Sequence, residues 1–174
     1  PAYDTDAPEF EAAEKAMQQR IDHLMGIKGK RSVDSIHKEL GHIMWEHVGM
    51  ARTKEGLEEG LKLMKNLRKE FETNLFVPGS KDGLNVELDK AFRLNDFITM
   101  GELIAWDALN RNESCGGHFR EEYQTEDGEA KRDDQNCFYV SCWEYQGSDD
   151  KAPVMYKEPL KYEAIEVKTR NYKN

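Results

Sequence analysis

The chain has 174 residues, enough for one domain, or one domain with a small appendage, and for a real buried core. Its 25 basic and 34 acidic residues leave a formal net charge of −9, which argues against a general nucleic-acid binder and against attraction to an anionic membrane surface. It has no run of about 18 apolar residues, no signal-peptide pattern at its start as given, and an odd count of three cysteines, so neither a spanning helix nor a secreted disulfide framework is expected, and a reducing cytoplasm is.

Residues 1–8 are polar, hold two prolines and read as a linker or tail. Phe10, Ala13, Met17, Ile21 and Leu24 then recur at helical spacing and predict a helix over 8–25. Gly26 to Arg31 breaks it. The Lys28-Gly29-Lys30-Arg31 run could grip a phosphate, but a solvated helix–helix turn is the expectation. Ser32 is placed to cap a second helix over 33–49, with Val33, Ile36, Leu40, Ile43, Met44 and His47 on one face and Gly49 as its stop. Thr53 caps a third, 54–75, whose stripe runs Leu57, Leu61, Met64, Leu67, Phe71, Leu75; Pro78-Gly79 ends the region. Asn85 opens the longest helix, 86–110, with Leu88, Phe92, Ile98, Leu103, Ala105, Trp106 and Leu109 on its apolar face. Short links between long amphipathic helices favour antiparallel neighbours. Wide solvated helix faces also account for a mean hydropathy of −0.85.

From residue 113 the period changes. Cys137, Tyr139, Ser141, Trp143 and Tyr145 alternate with Phe138, Val140, Cys142 and Glu144, the pattern of a strand over 137–145. Gln146 to Asp150 reads as a turn, Val154–Tyr156 and Tyr162–Val167 as two further short strands, and 168–174 as a polar tail. The expected fold is mainly α: an antiparallel three-to-four-helix bundle, spectrin-repeat-like, with a small C-terminal antiparallel β appendage. Its parts are a linker and N-terminal helix (1–30), the bundle (31–112), and a loop with the β appendage of the same domain (113–174).

The densest polar run is Glu113-Ser114-Cys115-Gly116-Gly117-His118-Phe119-Arg120-Glu121-Glu122, answered by Arg132-Asp133-Asp134-Gln135-Asn136. Adjacent glycines allow a tight turn and close approach of another segment, and charges this dense in a loop suit a docking surface better than a core. Glu113, Ser114, Gly116, Gly117, His118, Arg120, Arg132 and Asp133 are the expected interface residues. Other constellations carry less. Glu39 and His42 have the Glu-x-x-His spacing of a di-iron bundle, but such a site needs the motif twice, and a helix-surface Glu and His is the simpler reading. His37, His42 and His47 drift around their helix. Cys115-x-x-His118 with Cys137 and Cys142 could form a structural zinc site, yet the last two fall on opposite faces of the expected strand, so free cysteines are the simpler reading. A Cys115–His118 thiolate pair lacks an orienting third group. Trp45, Trp106 and Trp143 read as core or interface anchors.

The polar run resembles a signature of the flavoprotein subunit of succinate dehydrogenase and fumarate reductase, to which L-aspartate oxidase is related. That signature is a Glu-Ser-Arg-Gly-Ala-His-x-Arg-Glu/Asp block followed by Arg-Asp-Asp-x-Asn, in the C-terminal helical domain. Segment 31–52, with Ser35-Ile36-His37-Lys38-Glu39-Leu40 and Met44 to Arg52, is similar to that domain's first helix, and 53–112 to its next two, so the likeness covers residues 31–174. Cys115 stands where the family has Arg, Gly117 where it has Ala, and Gln124 to Ala130 is an insert. The resemblance implies a non-catalytic domain: no catalytic, cofactor-binding or metal-binding residue is expected here. FAD would belong to the parent subunit, since neither a Gly-x-Gly-x-x-Gly loop nor the dicarboxylate-binding Gly-Ala-Asn-Arg-Leu-Gly run occurs in this chain. The whole subunit would interconvert succinate and fumarate. Its partners would be the flavin-binding domain of the same polypeptide, an iron–sulfur subunit and a membrane quinone-binding subunit, and no nucleic acid. It would lie at the inner face of the cytoplasmic membrane, peripheral in a complex. A start at Pro1-Ala2-Tyr3 fits a piece of a longer polypeptide, although methionine removal before proline gives the same start. The alternative is a free-standing acidic helical binding protein, with or without a zinc-stabilised loop.

Overall fold

The computed structural model describes Asp4, residues 7–147 and residues 151–168. Most of the expected linker and polar tail, and the end of the 146–150 turn, lie outside the described residues. The chain divides into two compact units, residues 1–42 with 63–98, and 43–62 with 99–174. The boundaries fall inside helices, so three helices contribute to both.

Helix α1, Pro8–Gly26, opens on a proline at its first turn, with Glu9 and Glu11 favouring its positive end. Strand β1, Arg31–Ser32, leads straight into α2, Val33–Val48. Helix α3, Lys54–Asn74, is followed by β2, Leu75–Phe76, then α4, Val86–Asn110. The three expected caps all form. Ser32 Oγ accepts from Ser35 N (3.2 Å), Thr53 Oγ1 from Gly56 N (3.0 Å) and Asn85 Oδ1 from Leu88 N (3.1 Å). Each satisfies an N-terminal amide that the helix itself cannot and contributes about 1 kcal/mol.

In the first unit, Val33, Ile36 and Leu40 of α2, Met64, Leu67 and Phe71 of α3, and Leu88, Ala91, Leu94 and Ile98 of α4 are buried. These are the inward positions of three amphipathic helices, so the bundle core sits there. Two short parallel strands, not foreseen from the pattern, tie the α1–α2 link to the end of α3: Arg31 pairs with Leu75 and Ser32 with Phe76. Gly29 and Lys30 extend the tie, donating to Leu75 O (3.0 Å) and Asn74 O (2.9 Å). A Cβ on Gly29 would lie 1.9 Å from the Asn74 carbonyl, so only glycine lets the segments meet. The basic turn is therefore a packing device. Arg31 pairs with Glu39 at 2.7 Å, which takes that glutamate out of the Glu-x-x-His pair.

In the second unit, Ile43, Val48, Leu57, Ala105, Ala108, Cys137 and Tyr139 are buried. Strand β3, Tyr139–Glu144, pairs antiparallel with β4, Val154–Pro159, over six residue pairs. Tyr139 is buried while Val140, Cys142 and Glu144 are exposed, as the alternation predicts. The expected third strand, Tyr162–Val167, is not one. Its residues are exposed and join no sheet; Tyr162 instead sets its ring edge-on to Phe138, centroids 5.5 Å apart, while Arg111 donates to Cys137 O (2.8 Å) and Tyr139 O (3.5 Å) at the start of β3. Trp143 anchors the hairpin through Nε1–H to Asp107 Oδ1 at 2.8 Å. Trp45, at 77% exposure, is no part of the core. A helical bundle with a small β appendage is thus the architecture.

Candidate functional site

The polar run after α4 folds into a compact loop built on one tight turn. Cys115 and His118 exchange both backbone bonds, at 2.8 and 3.0 Å, leaving Gly116 and Gly117 at the tip. Gly116 has φ +59° and Gly117 is not among the positive-φ glycines, the pattern of a turn that needs glycine first. Both tip residues are exposed, and a Cβ at either would meet nothing within 4 Å.

Beneath the tip, Arg120 is the centre of the loop, only 2% exposed. Its Nη1 donates to Ala108 O (2.9 Å) and Leu109 O (3.3 Å), carbonyls of the last turn of α4 that lack helical partners. Its Nε and Nη2 fork onto Glu122, at 3.1 and 3.4 Å. Glu122 in turn accepts from the Lys54 N–H, capping the start of α3. Burial pushes the Glu122 carboxyl up, but the bonds from Arg120 and Lys54 outweigh it and hold it below the usual range. Ser114 Oγ locks the backbone of Arg120 from both sides, accepting from its N–H (2.8 Å) and donating to its carbonyl (3.1 Å).

A second layer joins two more arginines and a histidine. Arg52, at the α2–α3 corner, donates through Nε to Val48 O and Gly49 O, both 3.1 Å, and through Nη1 to His118 Nδ1 at 2.8 Å. His118 Nε2 lies 3.0 Å from Arg111 O. A histidine that accepts at Nδ1 and donates at Nε2 is neutral, and this network assigns that tautomer. Burial depresses its pKa first, Arg52, Arg120 and Arg111 add to that, and the bond to Arg111 O partly opposes it. The backbone reinforces the link: Arg52 N donates to Phe119 O (3.1 Å) and Glu121 N to Arg52 O (2.8 Å). Arg111 binds Glu113 Oε1 at 2.9 Å, and Glu113 Oε2 accepts from Asp133 N, also at 2.9 Å.

The Arg132-Asp133-Asp134 block combines bonds within itself with longer ones. Arg132 pairs with Asp134 and donates to Lys168 O at 3.2 Å. Asp133 Oδ1 accepts from Asn136 N at 3.1 Å, and the Asn136 bonds hold its carboxyl below the usual range.

The expected interface residues therefore divide. Glu113, Ser114 and Arg120 are buried and bonded inside the chain; His118, Arg132 and Asp133 are half-buried; Gly116 and Gly117 are exposed. The sequence reading did not single out Arg111 or Glu122 as structural partners. The signal was there in each case as an opposite charge two residues away, Glu122 after Arg120 and Glu113 after Arg111. Cys137 is buried, Cys142 exposed and Cys115 half-buried, all free, and among the described residues no three histidine, cysteine or carboxylate side chains converge on a metal position. Strand β1 has two residues and enters α2 directly, with no glycine loop between them.

A helical bundle, closed by a buried arginine–carboxylate loop and extended by a β hairpin, defines a helical domain with an appendage. The chain belongs to the family described as fumarate reductase flavoprotein C-term, whose model matches residues 37–172. It is 29% identical to the fumarate reductase flavoprotein subunit of Helicobacter pylori over 90% of this chain and 21% of that protein. It is 28% identical to the succinate dehydrogenase flavoprotein subunit of Rickettsia bellii over 65% of this chain and 19% of that protein. In structure it is similar to the quinol fumarate reductase FrdA of E. coli, with TM-score 0.72 and 21% identity over 94% of this chain and 27% of that one. The chain spans about a fifth of the length of the curated relatives it matches. These relatives give the free-standing binding-protein reading no support. Among the described residues no helix is long and apolar enough to cross a membrane.

Proposed function

We propose that the chain is the non-catalytic C-terminal helical domain of a succinate dehydrogenase or fumarate reductase flavoprotein subunit. The observation that carries this is the family match across residues 37–172, in a chain about one fifth the length of its relatives. The whole subunit interconverts succinate and fumarate with FAD held by its flavin domain. It passes electrons to an iron–sulfur subunit and a membrane quinone-binding subunit at the inner face of the cytoplasmic membrane. Relatives named for either direction share this domain, so the domain does not set the direction of the reaction.

Its role is assembly, as one domain with the 113–174 loop and appendage attached to the bundle. The exposed Gly116-Gly117 tip is the point of close approach to the flavin domain, Arg132, Asp133 and His118 supply the polar surround, and Glu113, Ser114 and Arg120 hold the loop in shape from below. The whole polypeptide, expressed and purified, should carry flavin and reduce a dye with succinate; a polypeptide without flavin and without turnover overturns the reading. An antibody to this chain should detect a band several-fold larger than 20.2 kDa in the membrane-associated fraction. The docking face is tested by Gly117→Trp, which fits the isolated loop because nothing lies within 4 Å of its added Cβ. The variant should keep the fold and lose succinate turnover; unchanged turnover removes the tip from the interface.

A further inference from the structure

Among the described residues nothing buries the outer half of helix α1. Only its foot is held: Leu24 is buried, the Arg20 guanidinium lies 5.1 Å over the Phe92 ring, and Lys81 pairs with Asp22. From Pro8 to Arg20 every residue is exposed. Phe10, at 55% exposure, and Met17, at 46%, lie with Ala13 on the same line as Ile21 and Leu24, so the stripe that enters the core at its foot continues into solvent. The helix start adds little, since its cap residue Ala7 makes no side-chain bond. A free-standing helical stretch this short is marginal in water.

We propose that the α1 stripe, Phe10, Ala13 and Met17, is a docking surface for the part of the parent polypeptide outside these 174 residues. This rests on the family reading above. Two observations select that occupant. About four-fifths of each curated relative lies outside its match to this chain, so a subunit of that length has ample further surface to receive the stripe. A net charge of −9 opposes a second copy of the same acidic chain. At 100° per residue Glu9 and Glu14 flank the stripe on its two sides, so the receiving surface is an apolar patch with a basic rim.

The test is amide hydrogen exchange on the whole polypeptide, wild type against Phe10→Glu with Met17→Glu. Both positions are solvent-exposed in this chain, so its own fold does not depend on them. Amides 10–19 should exchange about a hundredfold faster in the double variant, with α3 unchanged. Equal, fast exchange in both proteins overturns the proposal. So does protection that grows with protein concentration and disappears from the variant together with a drop in mass by sedimentation, because the occupant is then a second copy. Flavin absorbance and succinate-dependent dye reduction are read on the same wild-type preparation. If both are present while α1 is unprotected, the docking proposal alone fails; if both are absent, the family reading fails with it.

Discussion

Arg120→Ala isolates what holds the loop. The wild-type guanidinium is 2% exposed and makes two bonds to the last carbonyls of α4, at 2.9 and 3.3 Å, besides its fork onto Glu122. The carbonyl bonds combine a charged donor with the negative end of a helix and together contribute about 2–3 kcal/mol. The Glu122 side chain is 35% exposed, so water screens that pair and its share is no more than about 1 kcal/mol. The substitution should therefore cost about 3–4 kcal/mol, as expected when one partner of a buried charged network is removed. All three tryptophans lie in the second unit, so urea denaturation followed by tryptophan fluorescence reads the relevant transition. Arg120→Lys keeps the charge without the fork and should recover less than half of the loss. Arg93→Ala, at an exposed i,i+4 pair with Asp89, should stay within about 0.5 kcal/mol. A loss below about 1 kcal/mol for Arg120→Ala, or a lysine variant as stable as wild type, would refute the reasoning.

His118 supplies a pH dependence whose sign follows from its depressed pKa. Folding keeps the imidazole neutral, so its contribution is complete above the ordinary value of 6.5 and is lost as pH falls below it, when protonation removes the Arg52 bond and sets two cations together. The stability of wild type should fall more steeply between pH 7 and pH 5 (roughly the histidine range) than that of His118→Asn; parallel curves would dismiss the switch. Gly29→Ala should unfold the β1–β2 tie, since its Cβ meets Asn74 backbone at 1.9 Å; a thermal midpoint lowered by several degrees is expected. Thr53→Ala removes the amide partner of Gly56 and should cost about 1 kcal/mol in urea denaturation, whereas Thr53→Ser should cost little.

Much of the fold is legible because it rests on local rules. Four helices, their caps at Ser32, Thr53 and Asn85, and the alternation of β3 follow from spacing and capping chemistry within a few residues of each element. What escapes is set by neighbours distant in sequence. The β1–β2 tie joins residues 31–32 to 75–76, and two residues have no period to read. Tyr162–Val167 has the composition of a strand, but a strand also needs a partner's backbone, and what the segment finds is a side-chain contact, Tyr162 edge-on to Phe138. Trp45 shows the converse: its type says anchor, while only the packed chain shows that nothing here covers it.

The loop carries the same lesson into function. Read as a string, Glu113 to Glu122 is a row of charges, and charges are ordinarily outside. Folded, the charges alternate in role. Arg120 and Glu113 turn inward and satisfy carbonyls and amides that α4 and the 131–137 segment leave open, while the uncharged glycines turn outward. Desolvation offsets much of what buried ion pairs gain, so the worth of this arrangement is geometric more than energetic. Arg120 joins the end of α4 to Glu122, and Glu122 joins the start of α3, so three chain segments converge on one guanidinium. An apolar residue there could fill the space but would fix no direction. A tip whose position is set by directional bonds from below can present two bare glycines at a constant height, which is what close docking of another backbone requires.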